Sequence, residues 1–208
     1  MIRDLKPGNI LLSNDLTPKV CDFGLSKLSN DNSKTTKTGQ VGSLLYMAPE
    51  VLLGKNYNEK SDVYSFAIIM WQLIFDENCI FQYNYGTNQK YSTIMPTQEG
   101  ETFAHIANQN SLLLVPKLIS EGLRLPLPKL PLNPQSQIMK MWIREYFIKD
   151  DLNQAKRLSI IRQEDPFEKH LTVLDALFSM VQCSWCEDFY QRPSFSKLAE
   201  QLLETRSI

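Results

Sequence analysis

The hydrophobic pattern is strongest in the middle and last parts of the chain. Val63 to Phe75 is apolar in nearly every direction around a helix, which predicts a buried central helix because a surface helix has a polar side. Ser61 and Asp62 precede this run and are typical of a helix N-terminus. Apolar residues recur at helical spacing between Leu171 and Val181, and a last helix is predicted over Ser194 to Leu203.

The first quarter of the chain instead alternates short apolar runs with polar loops. Ile10 to Leu12 and Lys19 to Cys21 are separated by Asn14-Asp15, which predicts a small β-hairpin. Residues 26–40 have no hydrophobic period and predict an exposed loop. Met47-Ala48-Pro49-Glu50 then begins a short helical turn. The pattern predicts a mainly α-helical fold with one hairpin near its start.

The pattern is weaker between the central helix and residue 170. Ser111 to Ser120 predicts a short helix, and residues 137–163 read as helical and charged. Four prolines fall in LPLPKLPLNP, residues 125–134. This segment is interpreted as an extended strap over the surface, and the alternative is a Pro-x-x-P segment that docks in an aromatic groove of a partner.

Charge and composition exclude several classes of function. The 208 residues include 22 Lys plus Arg and 23 Asp plus Glu, a net charge of −1, which argues against a broad nucleic-acid binder. The run from Val63 to Phe75 is shorter than the roughly 20 residues of a membrane span, and the N-terminus lacks the pattern of a signal peptide. Neither nucleic acid nor a membrane is therefore expected as a partner.

The cysteines are too few and too scattered for a disulfide scaffold, which predicts a reducing compartment and, by default, the cytoplasm. They are Cys21, Cys79, Cys183 and Cys186. The last two form a C-x-x-C motif. It is either a weak zinc signal or, as the preferred interpretation, two small apolar residues at a helix end.

Asp4, Lys6 and Asn9 share one predicted loop, and Asp22 follows the second predicted strand. Phosphoryl transfer from a nucleotide needs a carboxylate to accept the proton of the attacking hydroxyl, a cation for the developing charge, and oxygen ligands for Mg²⁺. Carboxylate and amide oxygens suit such a hard cation. These four side chains are therefore candidates for this chemistry.

The same residues resemble the motifs of eukaryotic protein kinases. IRDLKPGN resembles the catalytic loop H-R-D-x-K-P-x-N, and Asp22-Phe23-Gly24 and Ala48-Pro49-Glu50 follow as D-F-G and A-P-E in the family's order and spacing. Trp185 with RPSF at 192–195 resembles Ser/Thr kinases of the tyrosine-kinase-like group. The resemblance implies the mainly α C-terminal lobe of a kinase domain, with the hairpin carrying the catalytic and metal-binding loops. It also implies transfer of the γ-phosphoryl group of ATP to Ser or Thr of a protein substrate, with Mg²⁺.

The resemblance assigns roles at the site residue by residue. Asp4 is implied as the catalytic base, and Lys6 as the residue that contacts the γ-phosphate. Asn9 and Asp22 are implied as the Mg²⁺ ligands, and Leu11 as the apolar floor under the adenine. The implied nucleotide-binding set is Lys6, Asn9, Leu11, Cys21 and Asp22.

Other residues are implied as structural or regulatory. Asp62 is implied to hold the catalytic loop through backbone N–H groups, and Glu50 and Arg192 to form a buried ion pair. Ser43 stands where the family commonly has Thr near the substrate hydroxyl, and Arg3 is typical of kinases switched on by phosphorylation of the activation loop. The further structural residues are Phe23 and Gly24 of the D-F-G motif. The candidate phosphorylation sites are Ser33, Thr35, Thr36 and Thr38, and the alternative is a solvated loop without a regulated site.

The sequence also departs from the family. Ile2 replaces the His of the catalytic loop, and the eight glycines never form G-x-G-x-x-G. Because Met1 stands just before the catalytic loop, we expect an incomplete kinase with little activity alone, its N-terminal lobe on a longer parent chain. The alternatives are a non-catalytic lobe that serves as a scaffold or binding module, and a lobe that regains activity with a partner. Residues 136–174 are expected to be a family-atypical insert, interpreted as a tolerated surface insertion or a docking element.

Overall fold

The computed structural model describes residues 2–22, 41–55, 58–75, 119–122, 124–125, 127–143 and 166–206. This part of the chain is mainly helical with one two-stranded sheet, which confirms the predicted fold class. In chain order the elements are a 3-10 turn Pro7–Asn9, β1 (Ile10–Leu12), β2 (Pro18–Val20), a 3-10 turn Val41–Tyr46, α1 (Pro49–Leu52), α2 (Glu59–Phe75), α3 (Gln137–Ile143), α4 (Pro166–Ser184), a 3-10 turn Phe189–Gln191 and α5 (Phe195–Arg206). No helix of the described ranges is both long enough and apolar enough to cross a membrane.

The hairpin places two loops side by side. Strands β1 and β2 are antiparallel, with Ile10 opposite Val20, and β2 begins one residue earlier than the pattern predicted. Ser13 closes the turn: its N–H donates to the Thr17 carbonyl at 3.1 Å, and its hydroxyl donates to Asp15. Pairing continues past the strands, because the Cys21 N–H donates to the Asn9 carbonyl at 2.8 Å. The loop before β1 and the loop after β2 therefore meet at the open end of the hairpin.

Helix α2 is the centre of the core, as its apolar pattern predicted. Val63, Ala67, Trp71 and Phe75 are fully buried along it. The ring of Phe75 stacks on that of Phe178 in α4, with centroids 5.5 Å apart. Removal of this apolar surface from water is the main source of stability for such a core.

The predicted N-terminus of α2 at Ser61 and Asp62 was wrong. The helix begins at Glu59, and the capping group is Asn58, whose side-chain oxygen accepts the Lys60 N–H at 2.9 Å. Both predicted capping residues lie inside the first turn and are buried. Their polar groups are directed to distant parts of the chain, which a local pattern cannot show.

The two C-terminal helices follow the predicted pattern closely. In α4, Leu171, Leu174, Phe178 and Val181 are buried on one side. Helix α5 begins just after Ser194, whose hydroxyl accepts the Lys197 N–H at 3.2 Å, as expected of an N-cap. It ends three residues later than predicted, at Arg206.

The proline-rich segment is only partly a strap over the surface, because Lys129, Pro131, Asn133 and Pro134 are exposed while its leucines reach the core. Leu125 and Leu132 are buried in the core, and Leu127 and Leu130 pack against it. The Leu132 N–H also donates to Asp175 of α4 at 2.6 Å. The alternation of leucine with proline lets the leucines reach the core while the prolines, which lack an N–H, leave few backbone donors to satisfy.

The described ends of the segment 136–174 also belong to the core. Met139 and Ile143 of α3 are buried, and so are Phe167 and Leu171 of α4. Both described ends therefore pack into the core and are not surface excursions. The family-atypical insert at about 136–174 stays a prediction, and its residues 144–165 lie outside the described residues.

Candidate active site

Asp4, Lys6 and Asn9 form one connected group in the loop before β1. The Lys6 Nζ donates to Asp4 Oδ2 at 2.7 Å, and these side chains are 24% and 13% exposed. The Asn9 amide nitrogen donates to the same Oδ2 at 3.1 Å and to the Asp4 carbonyl at 2.8 Å. The 3-10 turn Pro7–Asn9 makes this possible, because it folds Asn9 back toward Asp4.

These contacts leave one carboxylate oxygen of Asp4 available. Oδ1 accepts no hydrogen bond from any residue in the part of the chain that the structure describes, while Oδ2 accepts two. A carboxylate held at one oxygen and open at the other can orient a hydroxyl and accept its proton. The lysine ammonium provides a positive charge beside it.

Asp62 of α2 anchors the loop that carries Asp4 through two hydrogen bonds to its backbone. Its Oδ2 accepts the Ile2 N–H at 2.7 Å, and its Oδ1 accepts the Arg3 N–H at 2.8 Å. Asp62 is buried, so both charge-assisted bonds are shielded from water. Arg3 has φ +74°, in the left-handed region, and Asp62 holds the peptide groups on either side of Ile2 in the conformation that this turn requires.

Asp22 follows β2 and reaches the same end of the hairpin. Its neighbour Cys21 is bonded to Asn9, and Asp22 itself has φ +60°. A left-handed residue other than glycine is uncommon, and such residues concentrate at functional sites. The geometry therefore brings the loop of Asp22 to the loop of Asn9.

The oxygen ligands present fit Mg²⁺ bound together with phosphate. Among the described residues there is no group of three or more His, Cys, Asp or Glu side chains that could hold a metal alone. Mg²⁺ is commonly held by one or two carboxylates, while phosphates and water complete its shell. The Asp22 carboxylate and the amide oxygen of Asn9, whose nitrogen is turned toward Asp4, match that requirement.

The hairpin exposes two apolar side chains next to this site. Leu11 is 58% exposed and Leu12 is 63% exposed, and as neighbours on β1 they point to opposite faces of the hairpin. The role of Leu11 as a floor under the adenine stays a prediction. Cys21, the residue before Asp22, is partly buried.

Glu50 and Arg192 form the ion pair that the resemblance implied. Arg192 Nη1 donates to Glu50 Oε1 at 2.7 Å, and Nη2 donates to Oε2 at 2.9 Å. Ser61 donates to Oε1 at 2.7 Å. Burial tends to raise the pKa of Glu50, but the hydrogen bonds from Arg192 and Ser61 outweigh it, and the pKa lies below its ordinary value of 4.5.

Sequence reasoning missed a second connection, between the 3-10 turn Val41–Tyr46 and α2. The Ser65 hydroxyl donates to the Tyr46 carbonyl at 2.6 Å, and the Tyr46 hydroxyl donates to Gln72 Oε1 at 2.9 Å. Ser65 and Gln72 are polar residues inside an otherwise apolar helix. Because buried polar groups need partners, their presence in that run was a usable signal.

Several predicted site residues lie outside what the structure describes. Ser43 is on the 3-10 turn Val41–Tyr46, and only its backbone is described. The D-F-G residues Phe23 and Gly24, and all the candidate phosphorylation sites, fall in residues 23–40. Their predicted roles stay predictions.

Comparison with known proteins gives relatives that match part of the chain. The dual specificity protein kinase shkA of Dictyostelium discoideum is 52% identical over 73 residues, covering 34% of this chain and 14% of that protein. The serine/threonine-protein kinase CTR1 of Arabidopsis thaliana is 51% identical over 71 residues, covering 34% of this chain and 8% of that protein. A putative serine/threonine-protein kinase of Acanthamoeba polyphaga mimivirus, R517/R518, is 41% identical over 102 residues, covering 40% of this chain and 23% of that protein.

The matched region thus spans less than a quarter of the length of each of these relatives. The protein kinase domain, by contrast, matches almost the whole chain, from residue 1 to residue 205. This range includes the loop of Asp4, the hairpin, the central helix α2 and the C-terminal helices. The chain belongs to the protein kinase family.

Proposed function

We propose that the protein transfers the γ-phosphoryl group of ATP to a Ser or Thr hydroxyl of a protein substrate. The observation that carries this proposal is the state of Asp4: Lys6 and Asn9 donate to its Oδ2, while no described residue donates to its Oδ1. In this role Oδ1 orients the attacking hydroxyl and accepts its proton. Lys6 offsets the negative charge that develops on the transferring group.

Bound Mg²⁺ and ATP supply the phosphoryl group and neutralise its charge. Asn9 and Asp22 are the residues that would hold the metal, and Leu11 and Cys21 would lie against the adenine. Asp62 has a positioning role: it holds the two peptide N–H groups just before Asp4, so that the carboxylate points into the site. A displacement of a catalytic group by about 1 Å can reduce the rate by roughly 10²-fold.

We further propose that transfer needs a second, smaller lobe above the hairpin. The exposed Leu11 and Leu12 support this, because large apolar side chains next to a polar site are surfaces that a second body commonly covers. The 208-residue chain alone is then expected to show little activity. Location in the cytoplasm remains a prediction from the scattered cysteines.

A chimaera tests the proposal directly. The smaller kinase lobe of shkA is joined in front of Ile2, and Mg²⁺-dependent transfer of labelled phosphate to a generic protein substrate is measured. We expect activity in the chimaera that falls by at least about 10³-fold in Asp4→Asn, since the amide cannot accept the proton. Asp15→Asn is the matched control, because it removes the same charge at the exposed hairpin turn.

Two results would count against the proposal. A folded chimaera without activity would favour a non-catalytic lobe that acts as a scaffold. Activity that survives Asp4→Asn would show that another group accepts the proton. The choice between hydroxyl types is read from the labelled amino acid: we expect phosphoserine and phosphothreonine, whereas phosphotyrosine would point to the dual specificity that shkA carries in its name.

A further inference from the structure

Two cysteines lie one helical turn apart at the C-terminal end of α4. Cys183 is exposed in the last turn, Cys186 is partly buried just beyond it, and both are free thiols. The helical path continues between them, because the Trp185 N–H donates to the Val181 carbonyl at 3.2 Å and the Cys186 N–H to the Cys183 carbonyl at 3.5 Å. Residues three apart on such a turn share one side.

This turn also binds two arginine side chains. Its carbonyl groups accept Arg124 Nε at Trp185 (2.8 Å) and Arg192 Nε at Cys186 (2.8 Å). Both guanidinium groups lie against the buried ring of Tyr64, 5.4 Å and 5.2 Å from its centroid. Arg192 is the residue that binds Glu50, so the C-x-x-C turn supplies one of the contacts that position the buried ion pair.

We propose that Cys183 and Cys186 are a redox modification site that closes to an intramolecular disulfide and thereby loosens the Arg192–Glu50 pair. Helical neighbours three apart have Cβ atoms about 5–6 Å from each other, whereas a disulfide needs about 3.5–4.5 Å. Closure therefore draws the turn together by about 1–2 Å. The Cys186 carbonyl, which holds Arg192, moves with it.

The reaction needs an oxidant, and a small-molecule disulfide R–S–S–R supplies it. The Cys183 thiolate attacks one sulfur, forms a mixed disulfide and releases the first R–S⁻. The Cys186 thiolate then attacks the Cys183 sulfur and releases the second R–S⁻. The two thiols lose two electrons and two protons in total, and R–S–S–R is reduced to two R–SH.

The surroundings assign the order of the two steps. Cys183 is exposed and meets the oxidant first. The pKa of Cys186 is raised, chiefly by burial and then by the nearby Cys183, while the charges of Arg192 and Arg124 oppose that rise. Cys186 should therefore react more slowly than Cys183 with the small-molecule disulfide. It is well placed for the second step, because the Cys183 sulfur that it attacks is only one helical turn away.

Mass spectrometry tests whether the disulfide forms. The full chain is treated with glutathione disulfide and digested with trypsin, which leaves both cysteines in one peptide from His170 to Lys197 because Arg192 precedes Pro193. We expect this peptide to lose two hydrogen masses without carrying glutathione. In Cys186→Ser we expect one glutathione on Cys183, and Cys79→Ser, the control elsewhere in the sequence, should close as the unmodified chain does. A wild-type peptide that keeps two thiols, or carries glutathione at both, would overturn the proposal.

Thermal unfolding tests the effect on the ion pair, and it does not depend on the proposed kinase activity. We expect the midpoint of the oxidised protein to fall by at least about 2 °C and to recover on reduction. The double variant Cys183→Ser/Cys186→Ser should not respond to the oxidant. A disulfide that forms while the midpoint stays the same or rises would show that the turn is not coupled to Arg192.

Discussion

Glu50 and Arg192 are 142 residues apart in sequence and form a buried, bidentate ion pair. Their side chains are 5% and 0% exposed, and Arg192 has further acceptors in the carbonyl groups of Cys186 and Lys60. Lys60 returns a bond, since its Nζ donates to the Arg192 carbonyl at 2.6 Å. The pair thus connects α1, the start of α2 and the turn after α4.

Removal of one partner should show how much stability depends on this connection. In Glu50→Ala, Arg192 stays buried without its counter-charge, and we expect a loss of about 3–5 kcal/mol in the free energy of unfolding. Urea unfolding monitored by tryptophan fluorescence measures it. The control is Glu200→Ala, which breaks an exposed pair with Lys197 and should have little effect. Equal losses in the two variants would contradict a special role for the buried pair.

The lowered pKa of Glu50 predicts how stability depends on pH. Because its folded pKa lies below the ordinary 4.5, its ionisation adds stability that is fully present above about pH 4.5. That contribution is lost as the pH falls through the folded pKa. Glu50→Gln cannot ionise, so its unfolding free energy should fall less steeply as the pH drops below about 4.5. Parallel pH profiles for the two proteins would rule out Glu50 as a source of the dependence.

Local sequence patterns were sufficient to predict the helices that have a buried apolar side. The run from Val63 to Phe75 had to be a central helix, and the leucines of α4 had to face the core, because apolar periodicity reports burial directly. The chemistry of Asp4, Lys6 and Asn9 was also visible, because all three lie within one short loop. Their mutual hydrogen bonds follow from that proximity.

Long-range contacts were not visible in those patterns. Ser61 and Asp62 looked like capping residues, but their partners are Glu50 on one side and the peptide groups of Ile2 and Arg3, about 60 residues away, on the other. Family resemblance anticipated the Asp62 contacts, while periodicity could not. The arrangement of Arg124 against Tyr64 had no signal at all, because a guanidinium packs on a ring wherever the fold brings the two together.

That arrangement gives a prediction of its own. Tyr64 is buried, and the guanidinium groups of Arg124 and Arg192 both lie against its ring. Burial raises the pKa of its hydroxyl, although the two arginine charges oppose the rise. Tyr64→Leu removes the aromatic face and Tyr64→Phe keeps it. We therefore expect the free energy of unfolding of the leucine variant to be about 2 kcal/mol lower than that of the phenylalanine variant. Urea unfolding of both variants is the measurement. Equal stability would show that the ring acts only through its volume.

The bonds from Asp62 to the catalytic loop predict a local effect that stability alone would not reveal. Asp62→Asn keeps the size of the side chain but replaces one acceptor oxygen with a donor and removes the charge. The Ile2 and Arg3 N–H groups then lose charge-assisted bonds worth about 1.5–3 kcal/mol each. We expect hydrogen exchange at these two amides to accelerate by at least about 10-fold, and the active chimaera to lose kcat with little change in the KM for protein substrate.

Asp175→Asn is the matched control for this effect. Asp175 also accepts a backbone N–H from a distant residue, Leu132, but it lies far along the chain in α4 and has no bond to the loop of Asp4 among the described contacts. We expect it to speed exchange at Leu132 and to leave Ile2 and Arg3 unchanged. If Asp62→Asn instead accelerates exchange across the whole core, or lowers kcat no more than Asp175→Asn does, then Asp62 supports the fold in general and does not position Asp4.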